Sequence, residues 1–143
     1  MTALFEHSPW VEERADARPS SGDRHADLMA VVHDAGPEEQ LALIRAHPEL
    51  AGKAAVLTEA SAAEQSSAGL DRLSQAEFDH FHRLNAAYRE KFGFPFIICV
   101  RLTDKAGILA AMERRLANDR DTEIAAAIEQ IGEIVRLRLE CTP

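Results

Sequence analysis

Residues 74–93 read SQAEFDHFHRLNAAYREKFG, and this stretch decides the fold class. Ser74 followed by Glu77 fits a capping box, in which each side chain satisfies a backbone N–H of the other at the start of a helix. Apolar side chains then recur with the 3.6-residue period of a helix, at Phe78, Phe81, Leu84, Ala87, Tyr88 and Phe92. Gly93 is a typical helix stop. The stretch therefore predicts one long helix with an apolar face.

Similar signals predict helices along the rest of the chain. Ser8-Pro9 opens one, Gly36-Pro37 separates two more, and Pro48 ends a helix at His47 because it disfavours helical backbone in the residue before it. Further helices are predicted from Ser61, from Thr103 or Asp104, and through Ile124, Ala127, Ile131, Ile134, Leu137 and Leu139. No segment alternates with the period of a strand. The sequence predicts an all-α fold, a single domain over residues 1–143 formed by a helical bundle of about seven to eight helices.

Composition narrows the classes of function. The 143 residues carry 16 lysines and arginines against 24 aspartates and glutamates, a net charge of −8, which argues against nucleic-acid binding. Cys99 and Cys141 lie far apart, so neither a disulfide scaffold nor a structural zinc site is supported. The longest apolar run, Phe94 to Val100, is too short for the ~20 residues that cross a bilayer. Without a signal peptide or a peroxisomal tail, we expect a cytoplasmic protein with no membrane partner.

Helix formation does not explain the residues of two segments: 45–53, RAHPELAGK, and 91–101, KFGFPFIICVR. In the second, Gly93 and Pro95 break the helix beside the most apolar run of the chain. Buried non-helical backbone needs partners for its N–H and C=O groups. A polar heterocycle with urea or imide edges is one candidate partner, packed against Phe94 and Phe96. In the simpler alternative, neighbouring helices and water molecules provide the hydrogen-bond partners of this backbone.

Three polar residues near these segments are candidates for chemistry. His47, at a helix C-terminus, is placed to stay protonated and act as a general acid, or simply to cap the last turn. Glu64 either completes a capping box with Ser61, or instead orients an imidazole or accepts from a urea N–H. Arg101 follows seven apolar residues, and its guanidinium matches a carboxylate through two parallel hydrogen bonds.

The remaining charged residues have simpler interpretations. His80 and His82, two residues apart, point to different faces of a helix, and His7, His25 and His33 are expected in solvent. The run Met112–Leu116 is expected to form an exposed helix face around two core positions. Residue chemistry alone therefore predicts an anion pocket that contains His, Glu and Arg and holds no metal or cofactor.

Taken together, several segments resemble one family, the 2-oxo-4-hydroxy-4-carboxy-5-ureidoimidazoline (OHCU) decarboxylases of purine catabolism. The resemblance covers nearly the whole chain in order, and its blocks are specific in combination. They are residues 5–13, FEHSPWVEE; 41–53, LALIRAHPELAGK; 61–70, SAAEQSSAGL; 84–97, LNAAYREKFGFPFI; Arg101; and a tail with Glu113, Arg115, Leu116, Asn118 and residues 137–139.

This resemblance implies an all-helical, cofactor-independent carboxy-lyase, commonly a homodimer, that converts the small-molecule ureide OHCU to (S)-allantoin. It implies catalytic roles for His47, Glu64 and Arg101. It further implies substrate contacts from Pro48, Ser61, Gln65, Phe94, Phe96, Ile97 and Arg101. A bacterial-type, cytoplasmic member of the family is expected.

Two other classes of function remain as alternatives. A non-catalytic helical module that binds ureides would explain a pocket but leaves the His47, Glu64 and Arg101 set without a purpose. A metal-dependent hydrolase of cyclic ureides would need three or more convergent ligands, which the histidine spacing does not offer.

Overall fold

A computed structural model of the chain describes residues 4–5, 8–47 and 73–141, and these residues are helical without any strand. The elements are α1 (Trp10–Asp16), α2 (Arg24–Asp34), α3 (Pro37–Arg45), α4 (Gln75–Phe92), a 3₁₀ turn (Val100–Leu102), α5 (Lys105–Arg115) and α6 (Arg120–Cys141). The predicted all-α fold is confirmed. Six α-helices in the described part are fewer than the seven to eight predicted, and the helix predicted from Ser61 lies outside the described residues.

Helix α4 begins and ends as its sequence predicts. The Ser74 hydroxyl accepts from the Glu77 N–H at 3.1 Å, and the Glu77 carboxylate accepts from the Ser74 N–H at 2.9 Å. These two bonds complete the predicted capping box and satisfy N–H groups that a helix start leaves free. Gly93 ends the helix with φ +82°, a left-handed conformation that favours glycine. The chain can therefore leave the helix sharply and enter the apolar segment beyond it.

Two helix boundaries differ slightly from the prediction. Helix α1 begins at Trp10, with Pro9 in the N-cap position instead of at the first helical residue. Helix α3 ends at Arg45, and a turn carries the chain through Ala46 to His47, so the helix stops two residues before the position that Pro48 suggested. Between the two cap candidates before α5, Asp104 is the one observed, since its carboxylate accepts from the Gly107 N–H at 2.8 Å.

One apolar core joins the described helices and the segment between α4 and α5. Helix α1 packs on α2, both α2 and α3 pack on α6, and α4 packs on α5. The largest fully buried apolar side chains are Tyr88, Phe81, Phe94, Phe96, Leu28, Leu43, Ile44, Ile108, Met112 and Ile131. Within the described part, none of the helices has the length and apolar character needed to cross a membrane. Residues 94–99 pass through this core as non-helical backbone, with Phe94, Phe96, Ile97 and Cys99 buried.

Candidate active site

His47 is buried at the end of α3, with 7% of its surface exposed. Its Nδ1 lies 3.0 Å from the Leu43 carbonyl, one helical turn earlier. A carbonyl oxygen only accepts, so Nδ1 carries a proton, and Nε2 is the nitrogen that gains or loses one. The capping alternative is therefore realised in the structure, and the same contact fixes the orientation and tautomer of the ring.

The apolar segment after Gly93 places three predicted substrate contacts in the interior. Phe94, Phe96 and Ile97 are each at most 3% exposed. The Tyr88 ring meets Phe94 edge-on at 5.9 Å and Phe96 edge-on at 5.3 Å between centroids. Such edge-to-face contacts are a favoured arrangement of aromatic pairs and hold the segment rigidly against α4.

Side chains from three helices bind the backbone of this segment and of the α4 end before it. Arg45 of α3 donates to the Gly93 carbonyl at 3.1 Å, and Arg120 of α6 donates to the Phe92 carbonyl at 3.2 Å. Arg115 and Gln130 bind the segment further along and are described below. Neighbouring helices therefore supply part of what the buried backbone needs, as the simpler alternative predicted. The Arg45 contact also ties the end of α3, two residues before His47, to the start of the apolar segment.

Behind the segment lies a buried charged cluster formed by Arg115, Glu123, Tyr88 and Asn118. Arg115 Nε donates to Glu123 Oε1 at 2.8 Å, and the Tyr88 hydroxyl donates to the same oxygen at 2.6 Å. Asn118 Nδ2 donates to Glu123 Oε2 at 2.8 Å. Glu123 is fully buried, and three donors compensate for the water that its carboxylate has lost.

Arg115 corrects the expectation that Met112–Leu116 forms an exposed helix face around two core positions. Glu113 and Arg114 are exposed as expected, but Arg115 is only 7% exposed. Its guanidinium lies 4.4 Å from the centroid of the Phe96 ring, and its Nη1 donates to the Ile97 carbonyl at 2.7 Å. The burial is possible because a carboxylate, a carbonyl and an aromatic face replace solvent around the charge.

His25 is a second correction, because it was expected in solvent. The ring is half-buried, and its Nε2 lies 2.9 Å from the Gly132 carbonyl of α6. A histidine on α2 thus bonds directly to the backbone of α6, the helix against which α2 packs.

The buried cluster predicts an abnormal titration of Tyr88, the only tyrosine in the chain. Burial and the hydrogen bond to Glu123 raise the pKa of Tyr88 well above its ordinary value of 10.0. In the unfolded chain the phenol ionises near that ordinary value, so the unfolded state binds fewer protons above about pH 10 and stability falls as pH rises further. We expect tyrosinate absorbance to stay absent from the folded protein at pH values where the urea-unfolded chain already shows it. Equal titration of both states would contradict the buried hydrogen bond.

The predicted site residues are only partly brought together by the described structure. His47 and residues 94–97 are buried, with the end of α3 tied to Gly93. Arg101 lies in the 3₁₀ turn and is exposed, although it directly follows seven apolar residues in the sequence. Pro48, Ser61, Glu64 and Gln65 lie outside the described residues, as does the Ser61–Glu64 capping box. No group of His, Cys, Asp or Glu in the described ranges is arranged to hold a metal ion.

Sequence reasoning missed two buried arginines and a buried glutamate. Arg138 of α6 is 3% exposed and donates to the Leu4 carbonyl at 3.2 Å. Glu123 and Arg138 both fall on the apolar stripe of α6, four residues before Ala127 and seven after Ile131. A charged residue on an otherwise apolar helix stripe is the sequence signal that could have predicted these buried charges, because such a residue is buried only with a polar or charged partner. Arg115 is the partner that Glu123 finds.

Comparison with known proteins places these features in a family. The family model of OHCU decarboxylase matches residues 1–140. A Haloferax volcanii protein named 2-oxo-4-hydroxy-4-carboxy-5-ureidoimidazoline decarboxylase is 46% identical over 95% of this chain and 82% of its own length. A uric acid degradation bifunctional protein of Bacillus subtilis is 41% identical over 96% of this chain, which matches 28% of that protein.

Solved structures agree with the sequence comparison. The crystal structure of an (S)-allantoin synthase superposes with a TM-score of 0.74 at 30% identity, covering 97% of this chain and 46% of that one. The chain belongs to the OHCU decarboxylase family.

Proposed function

We propose that this chain is a carboxy-lyase that converts OHCU to (S)-allantoin, the last step of urate-to-allantoin breakdown. The observation that carries the proposal is the 46% identity to a named OHCU decarboxylase over nearly the whole chain. The buried histidine with a fixed tautomer and the rigid aromatic segment beside the end of α3 are consistent with it.

The chemistry needs no external electron sink, and we propose that none is used. The carbon that carries the carboxylate also carries a hydroxyl and neighbours a C=N bond. When the C–CO₂⁻ bond breaks, its electron pair forms a C=C bond, and the imine pair moves onto the ring nitrogen, which takes a proton. The resulting enol then loses its hydroxyl proton and gains a proton on carbon, which gives allantoin. Protonation from one face yields one enantiomer.

His47 is the proposed proton donor. Its Nδ1 proton is held by the Leu43 carbonyl, so Nε2 is the nitrogen that would deliver a proton to the nitrogen or hydroxyl centre of the substrate. Glu64 positions the hydroxyl or ureido group, while the orientation of the imidazole, which the sequence also assigned to Glu64, is held by the Leu43 carbonyl. Arg101 contacts ring or ureido oxygens, because tight binding of the departing carboxylate would stabilise the ground state and oppose its loss.

The remaining substrate contacts are proposed from the family resemblance. The rings of Phe94 and Phe96 pack against the heterocycle, and the backbone near Ile97 provides polar groups for its urea edges. Pro48, Ser61 and Gln65 complete the pocket in the proposal.

Assembly and location are further parts of the proposal. We expect a homodimer in the cytoplasm, with neither a nucleic-acid nor a membrane partner. The relatives come from archaea, bacteria and vertebrates, so a bacterial-type assignment remains a prediction of the sequence alone.

The deciding experiment is circular dichroism of the product, with OHCU generated in place by urate oxidase and hydroxyisourate hydrolase. OHCU decays unaided to racemic allantoin, so the handedness of the product separates catalysis from background. Faster loss of OHCU with a persistent (S)-allantoin signal, insensitive to chelator, is the expected result. Racemic product at the background rate from folded protein would contradict the enzyme and favour the ureide-binding module.

A further inference from the structure

The two peptide groups that flank Ile98 are each fixed by a side chain from a helix behind the segment. Arg115 Nη1 of α5 donates to the Ile97 carbonyl at 2.7 Å. The Cys99 N–H donates to Gln130 Oε1 of α6 at 2.9 Å. Because the peptide groups are consecutive, both bonds act on one short stretch of buried backbone.

Because a peptide group is planar, these two hydrogen bonds also fix the directions of the Ile98 N–H and the Ile98 carbonyl. The C=O and N–H of one peptide group point to opposite sides of a rigid plane. Fixing the Ile97 carbonyl toward Arg115 therefore directs the Ile98 N–H away from Arg115. Fixing the Cys99 N–H toward Gln130 likewise directs the Ile98 carbonyl away from Gln130. Among the described residues, neither the N–H nor the carbonyl of Ile98 has a hydrogen-bond partner.

The Arg115 guanidinium cannot easily swing away from this position. Its Nε is held by Glu123, and its plane lies against the Phe96 ring. Glu123 in turn is held by Tyr88 and Asn118 from two other directions. The cluster thus gives the Ile97 carbonyl a rigid donor anchored in the core.

We propose that Arg115 and Gln130 are positioning residues, which aim the Ile98 N–H donor and carbonyl acceptor at the urea edge of the substrate. Neither side chain touches the substrate; each acts through the backbone of the segment. The proposal rests on the proposed function, because it takes the segment at residues 94–99 as part of a ureide pocket. A urea edge presents N–H and C=O groups side by side, which the N–H and the carbonyl of Ile98 match.

The first test measures backbone mobility and does not depend on catalysis. Gln130→Met has a similar shape but lacks the acceptor, whereas Gln130→Glu keeps an oxygen that can accept from the Cys99 N–H. Hydrogen exchange read by mass spectrometry on peptides spanning residues 94–102 is expected to be faster in Gln130→Met than in wild type. Gln130→Glu is expected to restore slow exchange, and Glu129→Gln, at an exposed neighbouring position, serves as the control.

The second test is steady-state kinetics on OHCU with the same variants. Misaimed backbone groups weaken binding of substrate, so Gln130→Met should raise KM roughly 5–20-fold with kcat within about 3-fold of wild type. Gln130→Glu should return KM toward the wild-type value. Arg115→Lys keeps the buried charge but cannot serve both Glu123 and the Ile97 carbonyl, so its KM should also rise, with Arg114→Lys as the exposed control.

The outcomes separate this inference from the proposed function. Wild-type protein that fails to decarboxylate OHCU contradicts the function, while the exchange measurements still report whether the segment is held by Gln130. Active wild type with a wild-type KM in both Gln130→Met and Arg115→Lys overturns the positioning role. A lower melting temperature with unchanged KM in both variants overturns it too, since it shows a purely structural role.

Discussion

Replacing His47 by Asn is expected to lower kcat by about 10²–10⁴-fold, the usual contribution of a positioned general acid. Asparagine retains a polar group near the end of α3 but holds no proton that it can deliver at neutral pH. The fold should survive, because the hydrogen bond to the Leu43 carbonyl contributes only about 1 kcal/mol. Chiral product formation, followed by circular dichroism, measures the loss.

His33→Asn is the matched control, since His33 is exposed on α2. It should leave kcat unchanged and unfold with the same urea midpoint as wild type. Wild-type turnover by His47→Asn would remove His47 from the mechanism and return it to the capping role alone. Loss of the helical signal in His47→Asn would instead show that the side chain is needed for folding.

Replacing Glu123 by Leu is expected to lower the free energy of unfolding by about 3–5 kcal/mol. The change leaves the Arg115 charge buried without its carboxylate and removes the acceptor of the Tyr88 and Asn118 bonds. A domain of this size is stable by only about 5–15 kcal/mol, so the effect is large. Urea denaturation followed by far-ultraviolet circular dichroism measures it.

The double variant Arg115→Met with Glu123→Leu should recover much of that loss, because neither charge then remains in the core. Glu129→Leu places the same residue at an exposed position of α6 and should change stability by no more than about 0.5 kcal/mol. If Glu123→Leu had the urea midpoint of wild type, the ion pair would contribute nothing to stability.

Local signals were enough to predict most of the helices. The Ser74 and Asp104 caps and the Gly93 stop act on backbone groups within one turn, so their effect can be read from adjacent residues. The helix boundaries at Trp10 and Arg45 were less predictable, because a proline restricts neighbouring backbone without fixing where the last helical hydrogen bond forms.

Less of the candidate site than of the helices could be predicted from the sequence. His47 and the segment at Phe94–Ile97 could be singled out as candidates because helix stops next to apolar residues stand out in the chain, and the structure shows them to be buried. Arg115 was missed because its partners are far along the sequence, with Ile97 eighteen residues before it and Glu123 eight after. Arg101 directly follows seven apolar residues, but neighbours in sequence do not determine exposure, and the fold leaves Arg101 exposed.

The way in which the apolar segment is held has a consequence for the order of folding. Its backbone is fixed by side chains 18, 31 and 48 residues away, through Arg115, Gln130 and Arg45. Helices form from neighbouring residues, whereas contacts between distant parts of the chain require closure of long loops. The backbone of the apolar segment is therefore fixed only after α3, α5 and α6 have docked. A chain that has regained its helices but not this docking would have the circular dichroism of the enzyme without its activity.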